Sequence, residues 1–114
     1  MKDSVAESIM WLTIPDLVDE LNLGVSRVRR LIDDRTLAGK RIDGVFKVPA
    51  CFLKDSEPLR ELQGTLIVLA DNGFSDDEAV DWLLAPEDSL KVSPIDALRA
   101  GRKAEVRRVA QALA

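Results

Sequence analysis

The sequence contains no histidine and no tyrosine, the side chains that often serve enzymes as general base and phenolic acid. It has a single cysteine, Cys51, so an intramolecular disulfide cannot form. Without histidine, neither a Ser-His-Asp nor a Cys-His arrangement can exist, and one cysteine provides no metal site. A glycine-rich phosphate loop is also missing. We therefore expect no catalytic residues, no metal and no cofactor.

Long apolar runs are missing too. No stretch approaches the length of a membrane-spanning helix, and no signal peptide is visible. These absences predict a cytoplasmic protein with no membrane partner. Cys51 lies in the apolar run 48–53, which predicts a buried, unreactive thiol.

The charge that is present is unevenly distributed. The chain has 114 residues and a net charge of −4, and its 46% hydrophobic content suits one compact domain or two very small ones that share a core. Residues 26–48 carry seven basic and three acidic side chains, so this segment is basic within an acidic chain. Such a basic island is typical of a localised contact with DNA.

Residues 11–49 have the pattern of a winged helix-turn-helix. Thr13 can cap a first helix, with Pro15 in its first turn and Asp16 near its positive end. Asn22-Leu23-Gly24 is predicted to break that helix, with Gly24 able to take a positive φ, and Ser26 is predicted to cap the second helix. Two short amphipathic helices joined by a tight turn predict a helix-turn-helix.

A β-hairpin is predicted after the second helix. The segments 40–42 and 45–48 flank Asp43-Gly44, a dipeptide that favours a tight hairpin turn. This hairpin would be the wing, with Trp11 and Leu12 packed beneath it. Pro49 permits a short helix over 50–53.

The second half is helical by pattern. A polar connector, 54–58, is followed by predicted helices from Leu59 to Gly73, from Ser75 to Pro86, from Ser93 to Gly101, and from about Lys103. The predicted fold class is mainly α: a winged helix-turn-helix with a small β-hairpin wing, then a C-terminal helical bundle. The predicted organisation is a flexible N-terminal tail over 1–10, the winged domain over 11–54, and a C-terminal helical domain over 59–114 packed on the first.

The polar face of the second helix and the wing supply the candidate DNA-binding residues. They are Ser26, Arg27, Arg29, Arg30, Arg35, Lys40, Arg41 and Lys47. Val28, Leu31 and Ile32 are predicted to face the core, so Arg27 and Arg30 would enter a groove of double-stranded DNA and Arg29 would contact phosphate. The alternative is a solvated basic face without a ligand.

A second basic cluster lies in the C-terminal half, at Arg99, Arg102, Lys103, Arg107 and Arg108. Helix-end charges that complement the macrodipole and a second DNA contact are both open interpretations of it.

The N-terminal half resembles the winged helix-turn-helix of excisionases and of MerR-type regulators. The matching features are Leu12-Thr13, Leu21, Gly24-Val25-Ser26 and Phe46-Lys47-Val48-Pro49. Residues 64–114 are similar to the C-terminal domain of some toxin–antitoxin antitoxins. The matching features there are Gly73-Phe74, Trp82-Leu83, Pro86, Leu90, the run 93–98 and Gly101-Arg102.

The order of the two halves and their total length resemble an actinobacterial family of DNA-binding regulatory proteins. Mycobacterial members are phosphorylated by a Ser/Thr kinase, so the resemblance implies such a kinase as a partner. Residues 1–10 contain no threonine, however, so regulation through a tail threonine does not carry over.

Two functions are compatible with the residues and with these resemblances. The first is a DNA-binding transcriptional regulator. The second is an antitoxin-like interaction module that binds a partner protein through its C-terminal helices. Since one helix-turn-helix reads only a few base pairs, a homodimer or pairing of two chains induced by DNA is expected if binding is specific.

Overall fold

The computed structural model describes residues 9–113, and its first half is a helix-turn-helix framed by a three-stranded sheet. The elements of this half are β1 (Trp11–Thr13), α1 (Ile14–Leu21), α2 (Val25–Asp33), β2 (Lys40–Ile42), β3 (Val45–Pro49) and a 3-10 turn (Ala50–Phe52). The antiparallel sheet has the order β1-β3-β2. The wing is therefore the β2–β3 hairpin, extended by a strand that precedes the helices.

The second half begins with a small hairpin and continues as four helices. Its elements are β4 (Leu53–Lys54), β5 (Glu57–Pro58), α3 (Leu62–Asp71), α4 (Asp76–Leu84), α5 (Pro94–Arg99) and α6 (Lys103–Gln111). Together the two halves confirm the mainly helical class with a hairpin wing. Within residues 9–113, no helix has the length and apolar character needed to cross a bilayer.

Several helix starts follow the predicted caps. The Thr13 hydroxyl accepts from the Asp16 N–H while the Asp16 carboxylate accepts from the Thr13 N–H, and Ser75 and Glu78 form the same capping box at α4. The Ser93 hydroxyl accepts from the Asp96 N–H at α5. These starts depend on residues three positions apart, which explains why sequence alone predicts them.

The turn between α1 and α2 differs from the prediction. Asn22, not Gly24, takes the left-handed conformation, with φ 56°, and its N–H donates to the Val18 carbonyl. Gly24 has φ −71° and is the N-cap of α2, so Ser26 lies inside the first helical turn and does not cap it. Asparagine tolerates the left-handed region well enough to end a helix where glycine is expected.

Two segments form strands that were not predicted from the sequence. Trp11 and Leu12 were expected beneath the wing, but they pair with Pro49 and Val48 as part of the sheet. The 54–58 connector contains a tight hairpin in which Asp55 and Ser56 both have positive φ. The following helix accordingly begins at Leu62, later than the predicted start at Leu59.

One hydrophobic core runs through both halves. Leu17, Val28 and Phe52 from the first half belong to the same buried cluster as Leu69 and Leu98 from the second.

The N-terminal tail was predicted to cover residues 1–10. Residues 1–8 of it lie outside the part of the chain that the structure describes. Met10 is hydrogen-bonded through its carbonyl to the Ala50 N–H at 2.8 Å.

Candidate nucleic-acid interface

Helix α2 presents its polar side chains to solvent and its apolar side chains to the core. Val28 is fully buried, whereas Ser26, Arg27, Arg29 and Arg30 are all exposed. At about 100° per residue, Ser26 and Arg30 point almost directly away from Val28, and Arg27 and Arg29 lie on opposite flanks. The helix thus carries an exposed basic surface with an arginine on each side.

The wing separates its basic side chains onto two faces. Arg41 pairs with Phe46 across the hairpin, and Lys40 pairs with Lys47. Since side chains alternate along a strand, Arg41 shares a face with Phe46 and the buried Val48, while Lys40 and Lys47 lie on the other face. The turn at its tip has φ 54° at Asp43 and 82° at Gly44, the positive values that a type I′ turn requires.

A cleft lies between α2 and the wing, and two arginines line it from opposite sides. Arg29 and Asp33 line it from α2, and Arg41 and Phe46 line it from the wing, together with Ile14 and Ile32. Two arginines that line one open cleft suit a phosphate, which arginine can bind through paired N–H donors, although one Arg41 guanidinium nitrogen also donates to the Gly44 carbonyl at 3.4 Å. Asp33 limits the positive charge there.

The structure does not bring Lys40 or Arg35 to this cleft. The Lys40 ammonium forms an ion pair with Asp81 of α4, with 2.7 Å between Nζ and Oδ1. Arg35 has φ 62°, lies just beyond α2, and lines a small cavity with Phe74 and Asp76 at the junction of the two halves. Both residues therefore face the C-terminal half.

Lys47 lies close to the start of α1. The pKa of the Asp16 carboxyl is lowered, first by the hydrogen bond from the Thr13 N–H, then by the Thr13 hydroxyl, and to a smaller extent by the charge of Lys47. The ammonium of Lys47 thus adds positive charge near the N-terminal end of α1.

The second basic cluster is partly used in holding the fold together. One guanidinium nitrogen of Arg99 donates to the Cys51 carbonyl at 3.0 Å and to the Leu53 carbonyl at 2.6 Å. Arg102 pairs with Glu105, with 2.6 Å between Nε and Oε2. The Cys51 side chain is half-buried and not fully buried as predicted, and this partial burial raises the pKa of its thiol.

Sequence reasoning missed the C-terminal residues that contact α2 and the wing. Asp81 contacts the wing, and the Gln63 side-chain amide donates to the Asp34 carbonyl at the end of α2, at 3.0 Å. These partners are 41 and 29 residues apart, so no local pattern could have identified them.

Known proteins with the same organisation are similar along nearly the whole chain. DNA-binding protein Rv2175c from Mycobacterium tuberculosis is 32% identical over 89% of this chain and 78% of its own length. The solved structure described as the NMR structure of Rv2175c superposes with a TM-score of 0.86 at 29% identity, covering 99% of this chain and 86% of that one.

Two family models divide the chain between them. Residues 1–53 match the model described as DNA-binding protein Rv2175c, wHTH domain, and residues 59–114 match the Rv2175c C-terminal domain of unknown function. The chain therefore belongs to the Rv2175c family, in which a winged helix-turn-helix domain is followed by a helical C-terminal domain.

Proposed function

We propose that this protein binds double-stranded DNA through α2 and the wing, recognises a specific sequence, and acts as a transcriptional regulator in the cytoplasm. The observation that carries the proposal is the exposed basic surface of α2 with Arg41 facing it across the cleft. The similarity to the mycobacterial DNA-binding protein Rv2175c supports the same ligand. The role is one of binding and not of catalysis.

The side chains of α2 divide into two roles. Ser26 and Arg30 point most directly outward, with Arg27 beside them, so we assign these three to base edges in the major groove. Arg29 and Arg41 flank the cleft, so we assign them to a backbone phosphate, and Lys47 to a neighbouring one. We assign no primary DNA contact to Lys40 or Arg35, because both already face the C-terminal half.

The test compares two duplexes. One is the duplex that the wild-type chain enriches from a randomised library, called here the selected duplex, and the other is a random-sequence duplex of equal length. Arg30→Ala should weaken binding to the selected duplex by about 1–3 kcal/mol and affect the random duplex less. Arg41→Ala should weaken both alike and lower the salt slope by about one, since a phosphate contact is lost.

Arg60→Ala is the matched control, because it removes one exposed arginine from the segment before α3. It should leave the affinity for both duplexes close to that of the wild-type chain. If Arg30→Ala and Arg41→Ala behave as Arg60→Ala does while remaining folded, the DNA interface does not lie on this surface. The antitoxin-like interaction module would then become the better hypothesis.

A further inference from the structure

The C-terminal half contacts both elements that the proposed function uses to read DNA. Asp81 of α4 pairs with Lys40 at the start of β2, and Gln63 of α3 donates to the Asp34 carbonyl at the end of α2. The two contacts thus join the C-terminal helices to the wing through α4 and to α2 through α3.

Apolar packing supports these polar contacts. A small cavity at the junction is lined by Ile32 of α2 and Phe46 of the wing. From the second half it is lined by Leu66 and Ala70 of α3, Phe74, and Ala79 of α4. Leu66 and Ala79 belong to the buried core. The reading elements and the C-terminal helices therefore meet at a packed surface.

The strand geometry gives the Lys40–Asp81 pair a clear mechanical role. Lys40 and Arg41 are adjacent in β2, so their side chains leave opposite faces of the wing. Asp81 holds the strand on the Lys40 face, while Arg41 faces the cleft with Arg29. The pair therefore fixes the wing without occupying the arginine assigned to phosphate.

We propose that Asp81 and Gln63 are positioning residues for DNA binding, and that the C-terminal domain is a platform that sets the distance between the wing and α2. This inference rests on the proposed function. A specific site needs α2 and the wing to engage the groove and the backbone together, so a wing held at one position binds it better than a mobile wing. Binding to random DNA depends mainly on charge and needs this alignment less.

The principal test reverses the charge of Asp81. Asp81→Lys places two ammonium groups against each other, and we expect the ratio of affinities for the selected and random duplexes to fall roughly two- to fivefold, the factor that one exposed ion pair supplies. The side chains of Lys40 and Asp81 are 25% and 61% exposed, which makes a larger factor unexpected. The ratio is the readout because an added positive charge strengthens binding to both duplexes alike.

The exchange variant Lys40→Asp with Asp81→Lys restores an ion pair in reverse orientation, and it should return the ratio to the wild-type value. Asp88→Lys is the matched control, since it makes the same change of charge at an exposed residue in the turn after α4 and takes no part in the Lys40 contact. It should leave the ratio unchanged. Gln63→Met, which keeps the length of the side chain but removes the donor, should lower the ratio without changing the net charge.

A readout without DNA tests the same idea. Amide hydrogen exchange in β2 and β3 should be faster in Asp81→Lys than in the wild-type chain, and slow again in the exchange variant. If Asp81→Lys impairs folding, Asp81→Asn serves as a milder variant. Amide hydrogen exchange in β2 and β3 should again be faster than in the wild-type chain.

Two results would overturn the platform. One is a ratio in Asp81→Lys equal to that of Asp88→Lys. The other is an exchange variant whose ratio stays as low as that of Asp81→Lys, which would show that the Lys40–Asp81 pair does not set the position of the wing. Arg30→Ala distinguishes failure of the proposed DNA interface from failure of the platform. If Arg30→Ala has no effect on binding, the proposed DNA interface is wrong. If Arg30→Ala weakens binding as expected while Asp81→Lys leaves the ratio unchanged, only the platform is wrong.

Discussion

At the scale of single residues, Gly39 has no room for a side chain because it lies against the wing. It is buried just before β2, and a β-carbon there would overlap the Lys47 carbonyl oxygen and the Phe46 ring. Because the carbonyl belongs to the backbone of β3, the overlap cannot be relieved by a rotamer change. The close approach of two backbone segments therefore requires glycine.

Gly39→Ala should lower the free energy of unfolding by about 1–3 kcal/mol, the usual cost of overpacking. Chemical denaturation followed by circular dichroism measures the change. Gly24→Ser is the comparison, because a β-carbon at Gly24 meets nothing within 4 Å and a serine hydroxyl there can cap α2. Equal stability of Gly39→Ala and the wild-type chain would show that the wing can move away from this position.

At the scale of elements, the capping box at the start of α1 makes the stability of that helix depend on pH. The pKa of Asp16 in the folded chain lies below its ordinary value of 3.8, chiefly because its carboxylate accepts from the Thr13 N–H. A lowered folded pKa means that the ionised carboxylate stabilises the fold above the unfolded pKa. That contribution disappears as the pH falls through the lowered folded pKa.

Asp16→Asn should therefore be less stable than the wild-type chain above about pH 5, and the difference should shrink as the pH approaches about 2. Denaturant midpoints of the two chains across this pH range give the measurement. A difference that does not vary with pH would mean that the charge of Asp16 does not contribute to the cap.

At the scale of the whole molecule, the cores of the two halves are continuous, which predicts that the halves fold as one unit. The buried cluster includes residues of both halves, and Arg99 ties the end of α5 to the Cys51 and Leu53 carbonyls. Each half alone would have only a very small core, which gives marginal stability.

We expect a single cooperative unfolding transition. Trp11 lies in β1 and Trp82 in α4, so Trp11→Phe and Trp82→Phe leave one fluorescent reporter in the opposite half. Within each variant, the denaturation curve followed by tryptophan fluorescence should coincide with the curve followed by circular dichroism. Two separated midpoints within one variant would show independent domains.

The sequence by itself determined the features that depend on residues a few positions apart. Thr13 with Asp16 and Ser75 with Glu78 specify helix starts, and Asp43-Gly44 specifies the wing turn, because caps and tight turns are local hydrogen-bonded structures. The basic island was also visible, since charge is a property of composition.

Only the tertiary structure decided how distant segments combine. β1 pairs with β3 across the whole helix-turn-helix, so Trp11 became part of the sheet although nothing beside it specifies that pairing. Lys40 and Arg41 look equivalent in the sequence, yet one faces Asp81 and the other faces Arg29 across the cleft. Strand alternation and the packing of α4 separate their roles, because a side chain's partner is set by the element that the whole fold places against it.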